Sequence, residues 1–275
     1  MTDAESKPAN SVPPEVYTRE YYESCCQGYS EFLSTQGGTL PLRLRIPLEL
    51  AGIEAGMQVV DIGCGRGEIV LHSALFGAKV WGLDYATEAV KLAGEALSKA
   101  ASADLDDRFA IQQADAQCLP FRDNSTDVVF MLDVVEHLYP SELEKAFSEI
   151  QRILRPGGKV VIHTMPNLWY YRFGYPLFRF VERMRGRSLP EDPRDRWAFR
   201  HVHVNEQTPI KLSRALRASR FGARVWLMNT QRYEHEGNRL VRWTFKFLTF
   251  VYPFRWFFCN DIFAIGSKPQ YEDRH

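Results

Sequence analysis

Apolar and polar positions along this chain fall into two alternating rhythms. Short apolar runs at 58–62, 79–83, 109–113, 126–132 and 159–164 have the length and residue types of buried strands. Between them, apolar positions recur at helical spacing over 68–76, 87–101 and 141–154. Thr87 reads as the cap of one helix, and Ser141 with Glu144 as a capping box for another, which Pro156, Gly157 and Gly158 then stop. A helix over 208–219 and strands at 224–228 and 262–267 complete the series. Strands separated by helices of this length predict βαβ units, hence an α/β fold with a mostly parallel sheet and helices on both faces.

The flanks and two interior stretches depart from that rhythm. A helix over 17–33 carries Tyr17, Tyr21 and Tyr22, and a second, over 43–50, ends near Gly52. The stretches 167–205 and 231–258 show no strand–helix alternation and are expected to be insertions, the first forming a cap above the sheet. Residues 1–14 are polar and contain Pro8, Pro13 and Pro14, so they are expected to be a disordered leader before a single domain over 15–275. They lack the charged start and apolar core of a signal peptide. No apolar run approaches the ~20 residues of a membrane-spanning helix.

Composition narrows the picture slightly. With 34 basic and 34 acidic side chains in 275 residues, no net charge draws the whole chain to nucleic acid, and a nucleic-acid partner is not expected. The five cysteines, Cys25, Cys26, Cys64, Cys118 and Cys259, are odd in number and contain no CxxC pair. That argues against a disulfide framework or a zinc site and suits a reducing cytoplasm.

The chemistry concentrates where the first strand ends. Val59-Val60-Asp61-Ile62-Gly63-Cys64-Gly65-Arg66-Gly67-Glu68 runs an apolar strand into three alternating glycines and then a helix. Glycines permit the tight turn and a close ligand approach, and the helix N-terminus offers free N–H donors. The spacing is G-x-G-x-G, not the G-x-G-x-x-G of a dinucleotide turn, and Glu68 sits poorly beside a pyrophosphate. Asp84 ends the second strand, where an acid can take both hydroxyls of a ribose. Asp115 ends the third, where an acid can accept from an adenine amino group.

These segments, with Leu119-Pro120-Phe121, Thr126-Asp127-Val128-Val129-Phe130 and Leu154-Arg155-Pro156-Gly157-Gly158, resemble the class I S-adenosylmethionine-dependent methyltransferases. The resemblance is greatest to the broad subfamily that includes ubiquinone and menaquinone biosynthesis methyltransferases, and it spans roughly 57–166. It implies a Rossmann-like seven-stranded sheet with the last strand antiparallel, and S-adenosyl-L-methionine as cofactor. By position, it implies that Gly63, Cys64 and Gly65 lie against the methionine part, with Asp61 orienting the loop. Asp84 and Tyr85 would hold the ribose, Asp115 and Ala116 the adenine, and Leu132 would touch the cofactor through its backbone. The expected activity is methyl transfer to a small or lipid-linked acceptor, with oxygen the favoured atom. A non-catalytic cofactor-binding protein is the alternative, and a nicotinamide-dependent oxidoreductase a weaker one.

Methyl transfer to oxygen needs a proton acceptor, sought at the carboxyl ends of the strands. Asp133, Glu136 and His137 follow the fourth strand on one helical face. They can be a structural hydrogen-bond set, a base or metal ligands, and no resident metal is expected. His137 and His163, the latter at the end of the fifth strand with Asn167 beyond, are the candidate catalytic residues. His201 and His203 alternate ahead of Glu206. In the second insertion, Arg239, Arg242 and Lys246 share a helical face beside Trp243, Phe247 and Phe250. Three readings are open for 239–251: peripheral contact with a membrane, packing on the core, or a homodimer contact.

Overall fold

The computed structural model of the chain describes residues 11–24, 28–100, 105, 107–230 and 238–270. Its centre is a seven-stranded sheet in the order β3-β2-β1-β4-β5-β7-β6. The strands are β1 (Gln58–Ile62), β2 (Lys79–Asp84), β3 (Phe109–Gln113), β4 (Thr126–Leu132), β5 (Leu154–Thr164), β6 (Gly222–Met228) and β7 (Asp261–Ser267). β7 runs antiparallel to both β5 and β6, and the pairs from β3 through β5 are parallel.

Both faces of the sheet are covered, so the middle of central strand β4 is apolar at every position from Val128 to Leu132. In β4, Val129 and Met131 enter one core cluster, while Val128, Phe130 and Leu132 enter the other. That two-residue alternation puts successive side chains on opposite faces. The first face is covered by α6 (Pro140–Ile153) and α8 (Pro209–Ala218), through Phe147, Ile150, Leu212 and Leu216. The second is covered by α3 (Leu42–Ala51), α4 (Glu68–Leu75) and α5 (Thr87–Ala100), through Leu48, Val70, Ala74 and Leu97. Phe130 is completely buried, and truncating such a ring to alanine costs about 3–5 kcal/mol.

This layering fixes where a ligand goes. β1 and β4 are neighbours, yet α4 after β1 covers one face and α6 after β4 the other. The connections diverge and leave a crevice at the carboxyl ends of the two strands, where open α/β sheets bind ligands.

Several boundaries differ from the sequence expectation. The helix expected over 17–33 is two helices, α1 (Arg19–Ser24) and α2 (Tyr29–Thr35), and Gly28 turns the chain ahead of α2 with φ of 86°. The capping box of α6 is displaced by two residues: Glu142 reaches back to accept from the Tyr139 N–H at 2.9 Å, so Ser141 and Glu144 do not form it. Of the expected leader, 1–10 lie outside the described residues. Residues 11–14 are placed, with the Ser11 hydroxyl donating to Glu142 at 2.7 Å and a 3-10 turn beginning at Pro14. The first insertion contains a π-helical turn at Tyr170–Gly174 and α7 (Tyr175–Met184). The second contains α9 (Arg239–Phe250) and α10 (Arg255–Phe258), with 231–237 outside the described residues. Cys25 and Cys26 also lie outside them.

Candidate active site

The glycine loop after β1 is fastened to β2. The N–H groups of Gly63 and Cys64 both donate to the Leu83 carbonyl, at 2.7 and 2.9 Å. Asp84 accepts from Gly65 N–H at 3.0 Å through one oxygen and from Ala86 N–H at 2.9 Å through the other. Gly63 must be glycine: its φ is 73°, and an added Cβ would lie 2.3 Å from a methyl carbon of Val134. Above the loop lies a cavity of about 580 Å³. All nine residues expected to bind the cofactor line it. Asp61, Gly63, Cys64 and Gly65 come from β1 and its loop, Asp84 and Tyr85 from the end of β2, Asp115 and Ala116 from the turn after β3, and Leu132 from β4.

The charge of this wall identifies what fits it. Asp61 and Asp84 are buried, and neither has an ion-pair partner among the described residues. Burial pushes the Asp84 carboxyl up to about 6, against the pull of the Ala86 and Gly65 N–H groups. Burial, with repulsion from Asp84 and Glu68, raises Asp61 well above the usual carboxylate range. Glu68 is neutralised locally by Arg66 at 2.8 Å, and that guanidinium also lies over the Phe32 ring, 5.2 Å from its centroid. A cation placed here would offset two unpaired buried carboxylates, whereas a pyrophosphate would meet them head-on. S-adenosylmethionine carries an ammonium and a sulfonium, so the donor set fits it and disfavours a nicotinamide dinucleotide.

Across the crevice, the turn after β4 is held by a buried ionic chain. Asp133 has a left-handed backbone, φ 56°, sparsely populated by residues with a side chain. Its carboxylate accepts from Arg43 of α3 and, at 2.5 Å, from Nδ1 of His163. The other ring nitrogen, Nε2, faces Asp261 at 3.1 Å, and Asp261 also accepts from the Thr230 hydroxyl at 2.8 Å. Burial alone works against the imidazolium, but Asp133 and Asp261 outweigh it and carry His163 up to about 10. The same contacts hold Asp133 below the usual range, despite a burial effect of opposite sign.

His163 is therefore a charged strut and not a base. It is fully buried and does not line the cavity, which corrects its expected catalytic placement. Asn167, expected to face the acceptor, is also fully buried; its amide donates to the carbonyls of Trp256 and Cys259 at 3.0 and 2.9 Å.

Glu136 and His137 do reach the cavity. Burial first, and the Asp133 charge second, raise the Glu136 carboxyl to about 8, and Thr164 donates its hydroxyl to one oxygen at 2.7 Å. Burial first, and His203 second, lower His137 to about 3, so its ring is neutral. Its Nδ1 lies 3.2 Å from the Val202 carbonyl. A carbonyl only accepts, so Nδ1 carries the hydrogen and Nε2 keeps a lone pair. Among the described residues, Glu136, His137 and His203 are the group whose ligand atoms, one from each, lie within 4.8 Å of one another. Of the histidine pair noted with Glu206, only His203 lines the cavity. Glu206 instead pairs with Arg194 at 2.6 Å.

Two cavity residues, Trp197 and Phe199 of the first insertion, were not singled out from the sequence. Tyr17, Tyr21 and Tyr22, whose helical spacing the sequence did show, line the cavity from the N-terminal segment. The Tyr21 and Phe199 rings meet edge to face at 5.3 Å, and Tyr17 meets His137 likewise at 5.7 Å. The aromatics opening the insertion lie elsewhere: Trp169 packs on Trp256, with centroids 5.2 Å apart.

The comparisons with known proteins agree with this geometry. The family described as "Methyltransferase domain" matches residues 60–162. The chain is 34% identical over 113 residues to a sterol 4-C-methyltransferase of Caenorhabditis elegans, which covers 41% of this chain and 32% of that protein. It is 34% identical over 122 residues to the 27-O-demethylrifamycin SV methyltransferase of Amycolatopsis mediterranei, covering 43% of each. The chain thus spans less than half the length of these curated relatives. A Haemonchus contortus phosphoethanolamine N-methyltransferase 2, solved in complex with S-adenosyl-L-methionine, superposes with a TM-score of 0.62 at 22% identity, over 96% of this chain and 61% of that one. Glycine loop, acid-lined cavity, strand order and family match coincide: residues 60–162 are a class I S-adenosylmethionine-dependent methyltransferase domain, set in a chain with that fold.

Proposed function

We propose that the chain transfers the methyl group of S-adenosylmethionine to a hydroxyl of a small, apolar or lipid-linked acceptor. One observation carries this reading. A single cavity sets the unpaired acids Asp61 and Asp84 on one side and the proton-accepting pair Glu136 and His137 on the other. When bound, S-adenosylmethionine supplies a methyl group on a positively charged sulfonium. Asp61, Asp84 and the glycine loop hold that cation, and Asp84 and Asp115 hold its sugar and base. Tyr17, Tyr21, Trp197 and Phe199 form an aromatic wall that favours an apolar acceptor body and excludes water. His137 orients the acceptor hydroxyl through Nε2. Glu136, whose carboxyl titrates at about 8, takes the proton as the new bond forms. The cysteines Cys64, Cys118 and Cys259 are free thiols, which suits a reducing, cytoplasmic setting.

The test uses S-adenosylmethionine with a deuterated methyl group and a panel of phenolic, sterol and isoprenoid alcohols. The proposal expects deuterated methyl ethers by mass spectrometry. Label on carbon or nitrogen contradicts the oxygen assignment. Tight cofactor binding without labelled product across the panel and a cell extract supports a non-catalytic binding protein.

A further inference from the structure

Two helices outside the cavity each present large apolar side chains to solvent at helical spacing. On the π-turn and α7, Phe173, Leu177, Phe180 and Met184 are exposed at spacings of four, three and four. On α9, Leu240, Trp243, Phe247 and Phe250 repeat the pattern at three, four and three. Trp243 is 72% exposed and Phe250 84%. The opposite faces pack inward, where the rings of Phe178 and Phe245 meet at 5.5 Å. Phe173 also meets Phe257 of α10 at 5.2 Å, and Asn167 ties the first insertion to the Trp256 and Cys259 carbonyls. The two insertions are thus one body with two solvent-facing apolar stripes. Such a concentration of rings marks a docking surface.

The charges flanking the stripes have one sign. Arg172, Arg179 and Arg183 border the first stripe, and Arg239, Arg242 and Lys246 the second. Over 168–190 and 238–260 the sole acid is Glu182. It is buried and bonded to Arg185 and Arg187, at 2.6 and 2.8 Å. No described helix is long and apolar enough to cross a membrane. A second copy docking by symmetry would set like charge against like. We infer that α7 and α9 form a two-helix platform that docks the enzyme on an anionic bilayer, with the rings in the acyl boundary and the cations among the headgroups. The segment that carries α7 continues into Trp197 and Phe199 of the cavity wall, so docking would bring the cavity to a bilayer-borne substrate. The inference rests on surface residues alone and stands whether or not the methyl-transfer reading does.

Co-sedimentation of the full chain with phosphatidylcholine vesicles, with and without phosphatidylglycerol, tests it. Expected is binding to the anionic vesicles at low salt, falling as salt is added. Trp243→Ser with Phe250→Ser, and separately Phe180→Ser with Met184→Ser, should each weaken partitioning by at least about tenfold. These side chains are solvent-exposed, so the thermal unfolding temperature should be unchanged. Arg239→Glu with Lys246→Glu should abolish the anionic preference. Three results would overturn the inference: equal recovery in the supernatant with both vesicle types, full binding by the stripe variants, or a dimer in sedimentation that the stripe variants dissolve while vesicles go unbound.

Discussion

Asp133 and His163 meet through a 2.5 Å hydrogen bond that joins the wall of the cavity to the interior of the sheet. It ties the turn after β4 to β5, and through Asp261 to β7, while Arg43 closes the chain from α3. One imidazolium and one guanidinium balance two carboxylates, and the left-handed Asp133 is held in place by all of them.

Stability should fall with rising pH through this set. His163 is carried from an ordinary value of 6.5 to about 10, so the folded state holds its proton more tightly than the unfolded chain. Its contribution is complete below about 6.5 and lost as pH rises to about 10. Glu136, raised from 4.5 to about 8, acts in the same direction. Urea unfolding across that window checks this. His163→Leu should cost about 3–5 kcal/mol near neutral pH, because two buried carboxylates lose their shared partner. A stability that rises with pH would contradict the assignment.

Glu136 should set the pH dependence of turnover. Methyl transfer is expected to increase with pH and level off above about 8. Glu136→Gln should reduce kcat by about 10²–10⁴-fold with little change in cofactor affinity, and flatten the profile. His137→Gln should raise KM for the acceptor more than it lowers kcat. An unchanged pH profile in Glu136→Gln would move the base elsewhere.

Asp84→Ala should weaken S-adenosylhomocysteine by about 1.5–3 kcal/mol, the worth of hydrogen bonds to a charged group. In the parent, affinity should drop as pH falls through about 6, where the carboxyl takes up its proton. Calorimetry on both sides of that value measures it, and equal affinities would show that Asp84 does not hold the ribose.

Catalysis is expected to need no metal, although Glu136, His137 and His203 offer ligand atoms within 4.8 Å of one another. Turnover should survive EDTA. Activity lost to the chelator and restored by a divalent ion would convert that trio from proton-handling groups to ligands, and His203→Ala would then abolish the restoration.

The sheet was legible because each of its central strands is a short apolar run bounded by turn residues. β1, β3 and β4 fall at the positions read from the sequence, 58–62, 109–113 and 126–132. The glycine loop, the acid ending β2 and the acid in the turn after β3 were legible for a related reason: their spacing is local. The Asp133 chain was not, since Arg43 and Asp261 lie 90 residues before His163's partner and 98 residues after His163 itself. No local pattern announces such pairs, and His163 read as a catalytic candidate until its two carboxylates were in view. Trp197 and Phe199 sit in a stretch of 3-10 turns without a period. The stripe from Phe173 to Met184 does have helical spacing, but it starts in a π-helical turn and lies among prolines and arginines that mask it.

The most direct test of the account is a calorimetric titration of the full chain with S-adenosylhomocysteine, S-adenosylmethionine and NAD at neutral pH. The unpaired acids of the cavity predict saturable one-to-one binding of both sulfur ligands and no response to NAD, with Asp61→Asn and Asp84→Ala each weakening the former. Saturable binding of NAD, with no heat from either sulfur ligand, would contradict it.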